Sequence, residues 1–309
     1  MNIDDTSRVA VVGAGSMGHA IAQEFTRAGY EVSLNDVSED RLTTALKNIE
    51  SNLKMMVEIG LATAEQANPV PARIQTSTDL AETVSEADVV VEVAPEDIAL
   101  KQELFRRLDS LCPPRTILAS SSSTIMPSVL GEATDRPDRV LVAHYLMPPY
   151  LLPVVEVVRG PLTSDETIQV ICGLLERQGK TPVALHKEVP GFLINRLQAA
   201  LLREAFSLLD DGVVGPEDVD KAFTGALGPR WSAAGPFELM NIHGLDNWLV
   251  VLKRLLPLIE SSSAPPRLLQ EKVAHGEVGA RTGMGFFPCP PGAAETLRRR
   301  IAVAMVRLR

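Results

Sequence analysis

Residues 9–36 read VAVVGAGSMGHAIAQEFTRAGYEVSLND, and this stretch decides the predicted fold. A β-branched run leads into Gly13, Gly15 and Gly18, and an amphipathic run follows them. Asp36 lies 18 residues after Gly18, at the end of a second β-branched run. Three glycines between a strand and a helix, with an acidic residue at this distance, are typical of a dinucleotide-binding βαβ unit. The alternative is a glycine-rich turn of a doubly wound fold that holds no ligand.

The residues of this turn have separate roles. Gly13 permits the tight bend after the strand, and Gly15 lets the backbone approach a pyrophosphate. The pyrophosphate then lies at the helix N-terminus, where free N–H groups and the helix dipole favour an anion. Gly18 allows close packing of the helix, and we place Ser16 and Met17 in the same cofactor site.

Asp36 predicts which dinucleotide binds. Its carboxylate can accept hydrogen bonds from both ribose hydroxyls and would repel a 2′-phosphate. No arginine follows it within DVSED (36–40). We therefore predict NAD rather than NADP as the cofactor.

The chain changes character near residue 190. Before it, β-branched runs alternate with helical patterns, which is typical of a parallel sheet covered by helices. After it, long amphipathic runs take over, such as those over 190–212 and 235–260, each with a proline near its start. We predict an α/β fold, with a Rossmann-type doubly wound sheet over 1–189 and an all-α domain over 190–309. The predicted strands are 8–12, 31–35, 88–93, 116–120, 139–143, 154–158 and 181–185.

The composition argues against several kinds of partner. The 309 residues carry a formal net charge of −9, which speaks against a nucleic-acid surface. No charge-free apolar stretch is long enough to span a membrane, and the N-terminus MNIDDTSR lacks the features of a signal peptide. We therefore predict a cytoplasmic location. The three cysteines show no paired spacing, so we predict no metal site and no disulfides.

Over nearly its whole length the sequence resembles the 3-hydroxyacyl-CoA dehydrogenase family. The resemblance implies an N-terminal Rossmann-type domain that binds NAD, and a helical C-terminal domain through which two subunits form a homodimer. The motifs that carry it are, in order, VGAGSMG (12–18), VVVEVAPEDIALKQELF (89–105), SSSS (120–123), AHYLMPPYLLPVVEVV (143–158), EVPGFLINR (188–196), GPFELM (235–240) and RTGMGFF (281–287).

The resemblance also assigns a catalytic pair, His144 and Glu156. Oxidation of a secondary alcohol by hydride transfer needs a base for the hydroxyl proton, and histidine titrates near neutral pH. A carboxylate behind the ring fixes its tautomer and stabilises the imidazolium. A strand that ends near His144 and another that begins near Pro153 would bring Glu156 back to the histidine. The alternatives are a core histidine bonded to a backbone carbonyl and a glutamate at a strand edge.

Four further residues are assigned by their motifs. Ser123 and Asn195 match family residues near the reacting oxygen and the nicotinamide, so we place both in the catalytic and substrate sites and Ser123 also in the cofactor site. Glu96 and Lys101 match residues that line the cofactor cleft. The alternatives are a strand-to-helix cap for Ser123, a helix-face amide for Asn195 and a solvated surface position for Lys101.

Two departures from the family pattern bear on the substrate. Met147 stands where the family commonly has an asparagine three residues after its histidine, and a thioether is only a weak acceptor. The helical run after Asp36 also lacks the lysine-rich end with which the thioester enzymes hold the phosphates of coenzyme A. Lys47 and Lys54 alone make a poor phosphate site.

The segments 148–158, 187–214 and 225–238 look closer to the branch of the family that includes λ-crystallin, L-gulonate 3-dehydrogenase and L-carnitine dehydrogenase. We therefore predict an NAD-dependent dehydrogenase of a small 3-hydroxy carboxylate. One alternative is a 3-hydroxyacyl-CoA dehydrogenase with an acyl-CoA substrate. Another is a catalytically silent binding or structural protein of the crystallin type. The presence of both His144 and Glu156 speaks against this last alternative, and Met147 is the one feature in its favour.

A free hydroxy acid needs a cationic anchor for its carboxylate. Arg230, in LGPRWSAAGPFE (227–238), is our candidate because arginine can bind a carboxylate bidentately. Trp231 beside it could pack against the substrate and would attract a quaternary ammonium group. The surrounding glycines and prolines suggest a shaped loop. The alternative is a surface arginine and a packing tryptophan at a helix entrance.

Overall fold

The computed structural model describes residues 6–307. Residues 1–5 and residues 308 and 309 lie outside the described residues. Residues 1–5 make up most of MNIDDTSR, the segment from which the absence of a signal peptide was predicted. Internal contacts divide the chain into two units. The first comprises 6–195 together with Arg299–Arg307, and the second comprises Arg196–Arg298.

One eight-stranded sheet forms the centre of the first unit, in the order β3-β2-β1-β4-β5-β6-β7-β8. The strands from β3 to β6 in this order are parallel, β7 runs antiparallel to β6, and β8 is parallel to β7. The parallel part has the strand order of a doubly wound dinucleotide-binding sheet, so the predicted Rossmann-type fold is confirmed. The strands are β1 Arg8–Val12, β2 Glu31–Asn35, β3 Ile74–Ser77, β4 Val89–Glu92, β5 Ile117–Ser120, β6 Val140–Tyr145, β7 Val154–Arg159 and β8 Thr181–Leu185.

Helices cover the sheet and make up most of the C-terminal region. Those of the N-terminal region are α1 Gly18–Arg27, α2 Glu39–Glu58, α3 Ala64–Ala67, α4 Leu80–Val84, α5 Ile98–Leu111, α6 Pro127–Gly131 and α7 Asp165–Arg177. The C-terminal helices are α8 Ile194–Asp210, α9 Pro216–Ala222, α10 Gly228–Ala233, α11 Pro236–His243, α12 Leu245–Leu255, α13 Arg267–Ala274 and α14 Ala293–Arg307. The predicted helical C-terminal domain is thus confirmed.

The strand missing from the sequence prediction is β3. Its sequence IQTS has Ile74 buried but Gln75 and Thr76 exposed, as an edge strand allows. Such a strand shows little of the hydrophobic pattern from which strands are predicted. The other strands lie within the predicted stretches or extend one or two residues beyond them.

Two helical predictions need correction. The helix predicted from Pro190 begins at Ile194, because Gly191 and Phe192 take positive φ values of 78° and 48° that a helix does not admit. The run 235–260 forms two helices, α11 and α12, which are separated at Gly244 with φ 90°.

The core of the first unit lies on both faces of the sheet. In β1, Val9 and Val11 belong to a hydrophobic cluster with residues of α1 and α2, whereas Ala10 and Val12 belong to another that includes residues of α5. A strand buried on both faces is expected at the centre of a doubly wound sheet. Residues of α14 return to this unit, where Ala302 is fully buried in a third cluster.

Candidate functional site

His144 and Glu156 face each other across an antiparallel strand pair. They are register partners in β6 and β7, and His144 Nδ1 lies 2.7 Å from Glu156 Oε2. Both side chains are buried. The histidine therefore contacts a carboxylate rather than the backbone carbonyl of the alternative interpretation, and the glutamate does not lie on a solvated edge.

The other oxygen of Glu156 is also occupied. Oε1 accepts hydrogen bonds from the backbone N–H groups of Leu193 at 2.7 Å and Ile194 at 3.0 Å. Burial raises the pKa of Glu156, but hydrogen bonds from His144 and from these two N–H groups outweigh it and lower the pKa. An ionised carboxylate opposite Nδ1 favours the tautomer that carries its proton there, which leaves the lone pair on Nε2 to accept a proton.

Phe192 was missed in the sequence analysis. It is fully buried, and the centre of its ring lies 5.7 Å from that of His144. Its positive φ turns the chain so that the next two N–H groups reach Glu156. The preceding Pro190–Gly191 pair marks a turn and was the available signal.

Glu96 organises the serine-rich loop that follows β5. Its Oε1 accepts hydrogen bonds from Ser122 Oγ at 2.6 Å, from Thr124 Oγ1 at 2.7 Å and from the Thr124 and Ser123 N–H groups. Burial acts to raise the pKa of Glu96, but the Ser122 and Thr124 hydrogen bonds and the charge of Lys101 lower it overall. An ionised Glu96 thus holds the loop in place.

The structure brings Ser123 and Asn195 together. Asn195 Nδ2 donates to the Ser123 carbonyl oxygen over 3.3 Å. The capping role considered for Ser123 belongs to its neighbour, because the Ser122 hydroxyl accepts from the N–H groups of Thr124 and Ile125. Asn195 directly follows Ile194, whose N–H group binds Glu156.

Lys101 is not the solvated surface lysine of the alternative interpretation. It is 1% exposed, and its Nζ lies 2.6 Å from Glu92 Oε1 and 3.8 Å from Glu96 Oε2. Glu92, at the end of β4, also accepts a hydrogen bond of 2.6 Å from Ser120 Oγ. Glu92 was not among the predicted site residues, because an acidic residue inside a buried run does not reveal its partner.

A cleft of about 890 Å³ opens at the carboxyl ends of the strands. In a doubly wound sheet this is where the nucleotide binds. Its lining includes most of the predicted cofactor residues, namely Gly13, Gly15, Ser16, Met17, Asp36, Glu96 and Lys101.

The glycines of the turn fit a dinucleotide. A Cβ on Gly13 would lie 2.8 Å from the Val93 carbonyl oxygen, and one on Gly18 would lie 1.7 Å from that of Gly13. A Cβ on Gly15 would meet nothing within 4 Å. Gly13 and Gly18 therefore pack against protein, whereas Gly15 faces open space into which a pyrophosphate can come close to the backbone.

The carboxylate of Asp36 is suited to bind a ribose. Its Oδ2 accepts a hydrogen bond of 2.9 Å from the Ala14 N–H, while Oδ1 is buried and has no hydrogen-bond partner among residues 6–307. A sugar hydroxyl would satisfy this acceptor. Arg41 Nη1 approaches Oδ1 to 3.7 Å. Arg41 lies one residue beyond DVSED (36–40), the segment on which the cofactor prediction depends.

Arg230 and Trp231 lie in the second unit, and both side chains are exposed. The prediction of a shaped loop is wrong. The π-helical turn Phe223–Leu227 joins α9 to α10, so Arg230 and Trp231 sit on a helical segment.

Neither metal-binding nor membrane-spanning features are found in the part of the chain that the structure describes. Over residues 6–307, no three histidine, cysteine, aspartate or glutamate side chains group in a way that could hold a metal ion. Within the same range, every helix is too short or too polar to cross a membrane.

Comparisons with known proteins identify the family. Residues 8–189 match the 3-hydroxyacyl-CoA dehydrogenase NAD binding domain, and residues 191–288 match the C-terminal domain of the same family. Lambda-crystallin of Oryctolagus cuniculus is 36% identical over 255 residues, which are 80% of each protein.

Two solved structures give a similar result. A 5-formyl-3-hydroxy-2-methylpyridine 4-carboxylic acid 5-dehydrogenase, an NAD+ dependent dismutase, has a TM-score of 0.91 and 31% identity, with 98% of each chain covered. The (S)-3-hydroxybutyryl-CoA dehydrogenase of Ralstonia eutropha has a TM-score of 0.76 and 30% identity, with 92% of this chain and 99% of that chain covered. The chain therefore belongs to the 3-hydroxyacyl-CoA dehydrogenase family and is an NAD-dependent oxidoreductase.

Proposed function

We propose that this enzyme oxidises the 3-hydroxyl group of a small free hydroxy carboxylate to a ketone. The observation that carries the proposal is the buried contact of 2.7 Å between His144 and Glu156. A histidine oriented by an ionised carboxylate is suited to remove a hydroxyl proton.

In this mechanism His144 Nε2 accepts the proton of the substrate hydroxyl, and Glu156 stabilises the imidazolium that forms. Bound NAD supplies the acceptor for the hydride that leaves the carbinol carbon. The turn from Gly13 to Gly18 holds the pyrophosphate, and Asp36 holds the adenosine ribose. Ser123 and Asn195 bind the reacting oxygen and keep the hydroxyl directed at the histidine.

Two observations favour a free acid over a coenzyme A thioester. The first is the higher TM-score to the pyridine carboxylic acid dehydrogenase, 0.91 against 0.76 for the hydroxybutyryl-CoA enzyme. The second is the exposed side of α2, where Glu50 stands between Lys47 and Lys54, and where Glu58 pairs with Arg299 at 3.3 Å. Carboxylates among the lysines weaken a surface that would have to bind phosphates.

Steady-state kinetics on the purified enzyme test this substrate class. NADH formation is measured with a panel of free hydroxy acids and with the matching acyl-CoA thioesters. We expect higher kcat/KM for a free acid. Higher kcat/KM for the thioesters would replace the proposal with the 3-hydroxyacyl-CoA dehydrogenase alternative.

Arg230 is the proposed carboxylate anchor, and Trp231 is proposed to pack against the substrate. Arg230→Met should lower kcat/KM at least ~10-fold for the acid, the scale of a lost hydrogen bond to a charged group, and much less for its neutral amide. Equal losses for acid and amide would remove Arg230 from the site. Arg254→Met, on another helix of the same unit, is the matched control.

We also propose that the enzyme is a homodimer. Among the described residues of the second unit, Ala205 is the only one that is buried. On α12, Leu249 and Val250 are about half exposed. Apolar helix faces of this extent are stable when another chain covers them. Light scattering after size exclusion should give a dimer mass, and Leu249→Glu should give a monomer, whereas Lys253→Glu on the same helix should not.

We also propose that the enzyme is located in the cytoplasm. Cys112, Cys172 and Cys289 are free thiols. Proteins that work in oxidising compartments usually pair their cysteines. Cell fractionation tests the location, and recovery of the enzyme in an exported fraction would contradict it.

A further inference from the structure

Lys180 is a buried lysine that the proposed mechanism does not use. It lies between α7 and β8 and is 8% exposed. Its Nζ donates to the carbonyl oxygens of Pro149 at 2.5 Å and Leu152 at 3.4 Å, and it lies 3.1 Å from Glu24 Oε2. An ammonium group has three N–H donors, so three acceptors match it completely.

Both carbonyl groups belong to the segment 146–153, which joins His144 in β6 to Glu156 in β7. This segment contains three prolines and is therefore poor in N–H donors. The N–H groups of Leu151 and Leu152 both donate to Pro148 O. The Pro149 and Leu152 carbonyls thus receive their hydrogen bonds from Lys180.

Glu24 connects this arrangement to the nucleotide-binding helix. It is buried on α1, and its Oε1 accepts a hydrogen bond of 2.9 Å from Arg27. Tyr150 and Leu151 of the segment also belong to one apolar cluster with Ala20 of α1. The segment therefore meets α1 through a buried ion pair and through an apolar contact.

We propose that Lys180, paired with Glu24, is a positioning residue that holds the connection between His144 and Glu156 at a set place relative to α1. This inference rests on the proposed function. Helix α1, which receives the pyrophosphate, then also sets the position of the segment between β6 and β7. His144 and the cofactor therefore keep a constant position relative to each other. Burying a charged pair is unfavourable unless every donor and acceptor is matched, and here the matched geometry defines one loop conformation.

The test compares Lys180→Met with the double variant Lys180→Met/Glu24→Met. The single variant leaves Glu24 buried without its ammonium partner, so we expect a lower unfolding temperature. The double variant removes both charges and should recover much of that loss. In both variants kcat should fall at least ~10-fold, because small misplacements of reacting groups have effects of this size or larger. The exposed Lys187→Met is the control and should change neither quantity.

Three further readouts separate positioning from a merely structural role. Amide hydrogen exchange at Leu151 and Leu152 should become faster in both variants, with exchange in α1 unchanged in the double variant. NAD affinity and the pH dependence of kcat/KM should stay as in the wild type, because the glycine turn and the His144–Glu156 pair are intact. Recovery of kcat together with stability in the double variant, or unchanged exchange at Leu151 and Leu152, would overturn the proposal. Failure of the proposed function would instead appear as full turnover by His144→Ala, and the exchange result does not depend on it.

Discussion

His144 and Glu156 are paired by the register of two antiparallel strands, with Nδ1 of one 2.7 Å from Oε2 of the other. Backbone hydrogen bonds of β6 and β7 fix both Cα positions, and burial restricts both side chains. The orientation of the proposed base is therefore built into the sheet before any ligand binds.

Replacement of His144 tests the base. His144→Ala should lower kcat at least ~100-fold, the usual scale for loss of a general base. NAD should still bind, because the glycine turn and Asp36 are untouched. Steady-state kinetics and a fluorescence titration with NADH measure the two effects, and the exposed His186→Ala is the control. If His144→Ala kept most of its turnover, the assignment would be wrong.

Glu156→Gln should be similarly harmful for a different reason. The glutamine oxygen can still accept from Leu193 and Ile194, which turns its NH2 group toward His144 Nδ1. The imidazole would then carry its proton on Nε2, the atom that has to accept one. We expect a fall in kcat of at least ~100-fold. A variant with near-normal kcat would show that the tautomer is not controlled by Glu156.

Stability should depend on pH through the same residue. The pKa of Glu156 lies below its ordinary value of 4.5 in the folded protein. Its charged form therefore stabilises the fold above the ordinary value, and this contribution is lost as the pH falls through the lowered pKa. Urea unfolding of wild type and Glu156→Gln from neutral to acid pH should show a stability difference that narrows below 4.5. A constant difference at all pH values would contradict this role.

Cofactor choice should depend on Asp36 and Arg41 together. Asp36→Ser should weaken NAD binding by ~10-fold or more through lost hydrogen bonds to a charged acceptor. It should also release Arg41, which lies 3.7 Å from the carboxylate, to contact a 2′-phosphate. Turnover with NADP should rise in Asp36→Ser and fall again when Arg41→Met is added. Equal affinity of the wild type for both dinucleotides would falsify the role of Asp36.

The Glu92–Lys101 pair should matter for stability. Lys101→Met leaves a fully buried carboxylate without its cation, which should reduce the free energy of unfolding by about 3 kcal/mol. Lys221 pairs with Asp218 at 2.8 Å on the surface and provides the control. Lys221→Met should change the free energy by less than about 1 kcal/mol. Urea unfolding measures both losses. Similar losses in the two variants would mean that burial does not increase the contribution of the Glu92–Lys101 pair to the free energy of unfolding.

Much of the fold follows from local patterns. The run from Val9 to Asp36 contains a strand, a glycine turn, a helix and a second strand whose order specifies a dinucleotide-binding unit. Seven of the eight strands lie in runs that are recognisable as strands without the structure, whereas β3 has one buried residue, Ile74, and no hydrophobic pattern. Helix ends were less predictable, because the start of α8 depends on the backbone of Phe192 rather than on its helix propensity.

The sequence by itself determined the nucleotide fold, the family and the residues proposed for the catalytic pair, since each depends on residue types at short spacings. The tertiary structure alone decided which distant groups meet. Asn195 contacts the loop of Ser123, Glu92 pairs with Lys101, and Lys180 joins the segment between His144 and Glu156 to Glu24 on α1. The first and the last of these contacts join residues far apart in the chain. The buried charged groups among them need a partner, because an unpaired buried charge is costly. Spacing along the sequence carries no record of that requirement.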